Sequence, residues 1–306
     1  MFGIAILLAM GVGVAMSFQS PTNASLGLQV GAVQASLVSF TGGFLALLVL
    51  SLIFGTGDFS AALGVPAWQL LGGIYGALVV FSVALSSPRL GVSLALAVLM
   101  LGQLVGGMVV DEFGLFLATQ IPVSPLRLLG CAAVLAGIVL VCVGGIRSNG
   151  GLASEAFLQL VGCVLLSFIA GLGSAVQLPT NAALATAVGT IEASTISFGG
   201  GVIALLVLTL LFNKGRINSF KGTKPWQFTG GLYGAYGVSA NVVASPILGV
   251  SLAMVACMFS QIIGAMAVDS LGLLRARKVS INRWRIAGAA CLLVGVACVA
   301  GAKLIG

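Results

Sequence analysis

Two pairs of carboxamides interrupt a chain that is otherwise almost wholly apolar. Gln19 and Asn23 lie one helical turn apart with Pro21 between them, and Gln177 and Asn181 repeat the arrangement around Pro179. Each carboxamide offers a donor and an acceptor. Each proline removes a backbone donor and frees a carbonyl one turn earlier, so a kink is expected there. Four amides and freed carbonyls near the centre of a bilayer would make a polar lining able to hold a solute. The competing reading is that they bond only their own interrupted helices or a neighbour. Glu192 is the one carboxylate in the early part of an apolar segment, and its counterpart in the first half is Gln34. A desolvated carboxylate there could couple protons to transport; an interfacial glutamate at a helix N-terminus is the alternative.

The groups that catalysis needs are missing. The chain has no histidine, and its six cysteines stand in apolar segments without a Cys-x-x-Cys pair. No nucleophile with a base, carboxylate pair or metal-ligand set falls within the apolar segments. The expectation is a non-enzyme with no metal and no cofactor. The cysteines read as small packing residues.

These polar residues recur at a fixed interval. An offset of 158 residues maps Gln19 onto Gln177, Asn23 onto Asn181, Ser39-Phe40 onto Ser197-Phe198 and Gln103 onto Gln261. It also maps Gly72-Gly73-Ile74-Tyr75-Gly76 onto Gly230-Gly231-Leu232-Tyr233-Gly234, Asp111 onto Asp269 and Arg127 onto Arg285. The register never slips. One unit is used twice, as residues 1–148 and 159–306, with 149–158 as a short connection.

Composition places both units in a membrane. Hydrophobic residues make up 59% and charged residues 6%, against about a quarter charged in a soluble domain; the mean hydropathy is +1.22. Ten segments are long enough to span: 2–28, 32–55, 66–86, 90–110, 126–147, 157–186, 190–213, 225–244, 248–268 and 284–305. Pro66, Pro88, Pro125, Pro225 and Pro246 are expected at segment starts, where a missing N–H costs least. Five spans per unit is odd, so the second unit enters the bilayer from the opposite side. The expected fold is all-α and polytopic, with two inverted five-helix repeats.

Loop charge gives the orientation. The loops after spans 1, 3, 5, 7 and 9 hold Arg89, Arg147, Lys214, Arg216, Lys221, Lys224, Arg275, Arg277, Lys278, Arg283 and Arg285, and the other side only Arg127 and Lys303. The basic side is cytoplasmic and both termini lie outside. The net charge of +7 reflects this bias and implies no nucleic acid partner.

Further candidates follow from the repeat. Tyr75 and Tyr233 lie mid-span among glycines, and Ser82 and Asn241 lie further along the same segments. All four are candidates to line a cavity with Gln19, Asn23, Gln177 and Asn181. Gln103 with Gly106, and Gln261 with Gly264, read as helix-packing faces at the repeat interface, where spans 4 and 9 would meet each other. Asp111 and Asp269 end their segments and are expected at the interface with water.

Several motifs together resemble the bacterial YdcZ-type family of the drug/metabolite transporter superfamily. They are Gln19-x-x-x-Asn23, Ala35-Ser36-x-x-Ser39-Phe40-x-Gly42, Gly72-Gly73-x-x-Gly76, Pro88-Arg89-Leu90-Gly91, Gly102-Gln103, Asp111-x-x-Gly114-Leu115 and Arg127-Leu128-Leu129-Gly130. The second half repeats most of them and departs at Ile247, Ser260 and Trp284. The resemblance covers essentially the whole chain and makes it a fused two-repeat member. It implies an export-type carrier of the bacterial inner membrane, with a central cavity between inverted halves. Small multidrug relatives use a glutamate in their first helix, which spans 1 and 6 here lack. The reading is a secondary transporter of a small organic solute by alternating access, with proton coupling open. A passive facilitator or pore is the main alternative, and a non-transporting scaffold a remote one. Fused repeats permit a monomer; a dimer stays open.

Overall fold

The computed structural model describes residues 1–90, 92–148, 157–212, 219–275 and 282–305. They form ten α-helices: α1 (Phe2–Val30), α2 (Ala32–Phe54), α3 (Gly72–Leu90), α4 (Val92–Phe113), α5 (Pro125–Ser148), α6 (Phe157–Val188), α7 (Thr190–Phe212), α8 (Gly230–Leu248), α9 (Val250–Leu271) and α10 (Arg283–Ile305). The expected 149–158 connection lies mostly outside the described residues; α6 already begins at Phe157. Most of these helices are apolar on every side, as lipid demands. Leu7, Leu52, Phe54, Leu210 and Leu211 face outward, more than 60% exposed. Six of the described helical stretches are each long and apolar enough to cross a bilayer, and Pro125–Leu140 and Leu252–Val268 are shorter apolar stretches.

The links preserve the repeat. One glycine joins α1 to α2 and its equivalent joins α6 to α7: Gly31 at φ 93° and Gly189 at φ 99°. Side chains rarely tolerate that backbone, so a single residue can reverse the chain there only as glycine. The prolines behave less uniformly than expected. Pro125 opens α5, but Pro66 and Pro225 begin short 3-10 turns ahead of α3 and α8, which start at Gly72 and Gly230. Pro246 falls inside the last turn of α8 rather than at the start of α9, because the chain breaks afterwards at Gly249, φ 77°.

The two repeats interlock instead of lying side by side. The main neighbours of every helix belong to the other repeat: α1 packs on α8 and α9, α6 on α3 and α4, α2 on α7, and α5 on α10. Glycines make this possible. A Cβ at Gly73 would lie 1.7 Å from the Ser197 carbonyl, and one at Gly231 would lie 2.0 Å from the Ser39 carbonyl. The α5–α10 pair closes in the same way, with Gly137 on the Gly288 carbonyl and Gly130 on the Gly295 carbonyl. Small residues at such contacts let backbones approach where lipid supplies no hydrophobic drive.

Asp111 and Arg127 correct the sequence expectation. They are 0% and 2% exposed rather than interfacial. Arg127 Nη2 donates to Asp111 Oδ2 at 2.9 Å, and Asp111 Oδ1 accepts from the Val250 N–H at 2.9 Å. Arg127 Nη1 donates to the carbonyls of Ile121 and Pro122. One carboxylate thus neutralises a cation and caps the first turn of α9 in the other repeat. Arg285, the equivalent of Arg127, is 1% exposed and so is no loop cation either.

Asp111→Ala is expected to cost about 3–5 kcal/mol by stranding a buried cation. Asp111→Ala with Arg127→Met should recover part of that loss. Chemical unfolding in detergent measures both; an additive double variant would show that the pair does not act as a unit.

Candidate functional site

Helices α1, α3, α4, α6, α8 and α9 surround a central cavity of about 100 Å³. Phe40 of α2 and Phe198 of α7 also line it, stacked on each other with ring centroids 4.8 Å apart. Among the described residues the lining carries no charged side chain. The described residues of α5 and α10 contribute nothing to it.

The four repeated amides converge here. Gln19, Asn23, Gln177 and Asn181 all line the cavity and are at most 8% exposed. Their helices run unbroken through Pro21 and Pro179. The Thr22 hydroxyl donates to the Phe18 carbonyl at 2.8 Å beside the first proline. Each amide rests on a glycine of the opposite repeat. A Cβ at Gly230 would lie 2.0 Å from Asn23 Oδ1, and one at Gly72 would lie 1.9 Å from Asn181 Oδ1. Gln19 Nε2 and Gln177 Nε2 take the same place over Gly234 and Gly76, at 2.7 and 2.6 Å. The glycine faces of α3 and α8 therefore seat amides from α6 and α1.

Asn241, Gln103 and Gln261 also line the cavity. Gln103 Nε2 donates to Ser174 Oγ of α6 at 3.0 Å. α4 and α9 do touch, but the closest contacts of the glycines beside these glutamines are with other helices. Gly106 packs on Leu172 and Ala175 of α6, and Gly264 packs on Val14 and Ser17 of α1. The swap follows from interlocking, which sets α4 beside α6 and α9 beside α1. Spacing shows that a helix has a small-residue face but not which helix fills it.

Other candidates lie outside the lining. Tyr75 packs on Gly173 of α6, and Tyr233 stacks on Phe18 at 6.1 Å. Ser82 is fully buried, with its hydroxyl 3.3 Å from that of Ser167. Glu192 is 3% exposed at the start of α7, and Oε1 accepts from the Gly57 N–H at 2.9 Å. It ties α7 to the α2–α3 connection of the other repeat, where Asp58 N–H donates to the Val188 carbonyl. Asp58 itself turns to the Ser60 backbone and hydroxyl, which hold its carboxyl below the ordinary carboxylate range.

Sequence reasoning missed the stacked Phe40–Phe198 pair as a cavity wall. The repeated Ser-Phe signalled the pair, but an apolar residue in an apolar helix carries no mark of facing a cavity. Met16 and Met254 were missed for the same reason. Among the described residues no cluster could hold a metal ion.

Gly72→Ala should push Asn181 aside and lower stability by about 1–3 kcal/mol. Adding Asn181→Ala should restore part of the loss by removing the clashing oxygen. Melting temperature in detergent reads both; no rescue would mean that the clash is with something else.

No curated protein sequence matches this chain. A solved crystal structure of a protein shares 15% identity over 97% of this chain and 96% of its own, with a TM-score of 0.69; at that identity the likeness shows the fold alone. The model of the drug/metabolite transporter family described as "Putative inner membrane exporter, YdcZ" matches twice, over residues 4–140 and 162–298. The two matches are offset by the same interval as the amide pairs. The chain belongs to the YdcZ family, as a fused two-repeat member.

Proposed function

We propose that the protein exports a small organic solute across the bacterial inner membrane by alternating access, with the central cavity as the solute site. Membership of the family makes it a multi-pass membrane transporter; the solute, the direction and the mechanism are our reading. The observation that carries it is the amide-lined cavity, walled by both repeats. A site built at the interface of inverted repeats can open to either side by exchanging their packing. Gln19, Asn23, Gln177, Asn181 and Asn241 would contact the solute. Tyr75, Tyr233 and Ser82 would act behind it, supporting the helices that carry the amides. Gln103 and Gln261 would join the lining, with Gly106 and Gly264 forming the close contacts between repeats.

Glu192 supports a coupled mechanism. Its carboxylate spans the two repeats at one end of the bundle through the Gly57 N–H. Protonation would weaken that bond, because a neutral carboxyl is the poorer acceptor. The facing loop offers Asp58, whose carboxylate is engaged with Ser60. A facilitator is the second reading, and it needs only the cavity. Loop cations support the orientation with both termini outside.

Glu192→Gln keeps an acceptor for Gly57 but removes the carboxylate. Flux in proteoliposomes should lose its stimulation by a pH gradient while basal exchange persists. Stimulation unchanged by the substitution would remove the coupling role and leave the facilitator. A periplasm-active alkaline phosphatase fused after Gly306 should be active in cells; an inactive fusion of a well-expressed chain would reverse the orientation.

A further inference from the structure

We infer that the cavity selects uncharged solutes carrying an amide- or urea-type group on an apolar body, and excludes carboxylates and phosphates. This rests on the transport reading above and names its substrate class. The lining is polar but neutral: Gln19, Asn23, Gln177, Asn181, Asn241 and Gln261 each bring a carboxamide with both a donor and an acceptor. Asn23 Oδ1, Asn181 Oδ1, Gln103 Oε1 and Asn241 Oδ1 are buried and accept no hydrogen bond among the described residues. Asn23, Asn181 and Gln103 are 2%, 3% and 8% exposed. The Nε2 of Gln103 is meanwhile committed to Ser174. Those buried oxygens are closed in by protein, with Asn23 on Gly230 and Asn181 on Gly72, so what the lining presents to a solute is neutral amide dipoles without a fixed charge.

Charge argues in the same direction. The described lining offers no cation to receive an anion. A carboxylate would have to leave water and find no cation in the described lining. An ammonium would find acceptors, yet no carboxylate to balance it; Glu192 lies at the bundle end, on Gly57. An uncompensated charge in a low-dielectric chamber is strongly disfavoured. A neutral amide avoids both problems, since its edge matches a carboxamide donor to acceptor. The stacked Phe40–Phe198 pair and the aliphatic walls then accept the apolar body.

The test uses the purified full chain and three matched solutes on one scaffold: benzamide, benzoate and benzylammonium. Affinity is read in detergent by ligand-induced thermal shift, and flux is read separately in proteoliposomes. Benzamide should bind at least about tenfold more tightly than either ion. Asn241→Asp, which sets a carboxylate in the wall, should shift the preference towards benzylammonium by about tenfold; Gln261→Glu should do the same if the first variant folds poorly. Benzoate or benzylammonium binding as well as benzamide, or no benzamide binding at all, would overturn the inference. If ions move through the liposomes and the amide does not, transport stands and this selectivity falls. If the amide binds as expected but no solute of any class moves, the selectivity stands and the transport reading falls.

Discussion

The structure depends on polar groups finding protein partners or close seats, because lipid provides no water to solvate them. Four carboxamides near the middle of the bundle meet this constraint by crossing to the opposite repeat. Asn23 and Gln19 sit over Gly230 and Gly234, and Asn181 and Gln177 sit over Gly72 and Gly76. Glycine is required because the amide atoms occupy the space that a Cβ would take. The same crossings bring the two repeats into contact, so the polar lining and the repeat interface are built from one set of residues. A cavity with amide walls is then a consequence of how the helices pack.

Charge is handled in the opposite way. It is kept from the described cavity lining and concentrated at helix ends. Asp111 neutralises Arg127 and caps α9, and Glu192 holds the Gly57 N–H. Helix termini carry unsatisfied N–H groups and partial charge, so a buried carboxylate there is stabilised as it would not be at mid-helix. Both contacts cross between repeats. They brace the ends of the bundle while the centre stays neutral, an arrangement suited to parting and re-forming at the ends around an uncharged site.

Interlocking also bears on how such a protein could move. α1 and α6 each lie against helices of the other repeat, so no rigid half can swing free of its partner. In the proposed exchange of packing, helices would slide along their glycine contacts. The described residues of the α5–α10 pair stand outside the cavity lining, joined by their own glycines.

Much of this was legible in the residues. The constant offset from Gln19 to Gln177 gave the duplication, and an odd number of apolar segments gave the inversion, because lipid leaves a spanning chain few choices besides a helix. The amides were legible as unusual for the same reason: a polar side chain in hydrocarbon needs a cause. Partners were not legible. Gln103 of α4 donates its hydrogen bond to Ser174 of α6, and Asp111 is buried at the Val250 N–H instead of standing at the surface. Phe40 and Phe198 could not be told from other apolar residues until they met. Sequence alone determined the helices, their repeat and their polar exceptions, since those follow from the cost of each residue in lipid. Only the tertiary structure decided which helix faces which, and therefore where the cavity lies, because that choice rests on shape fit between faces that are equally apolar.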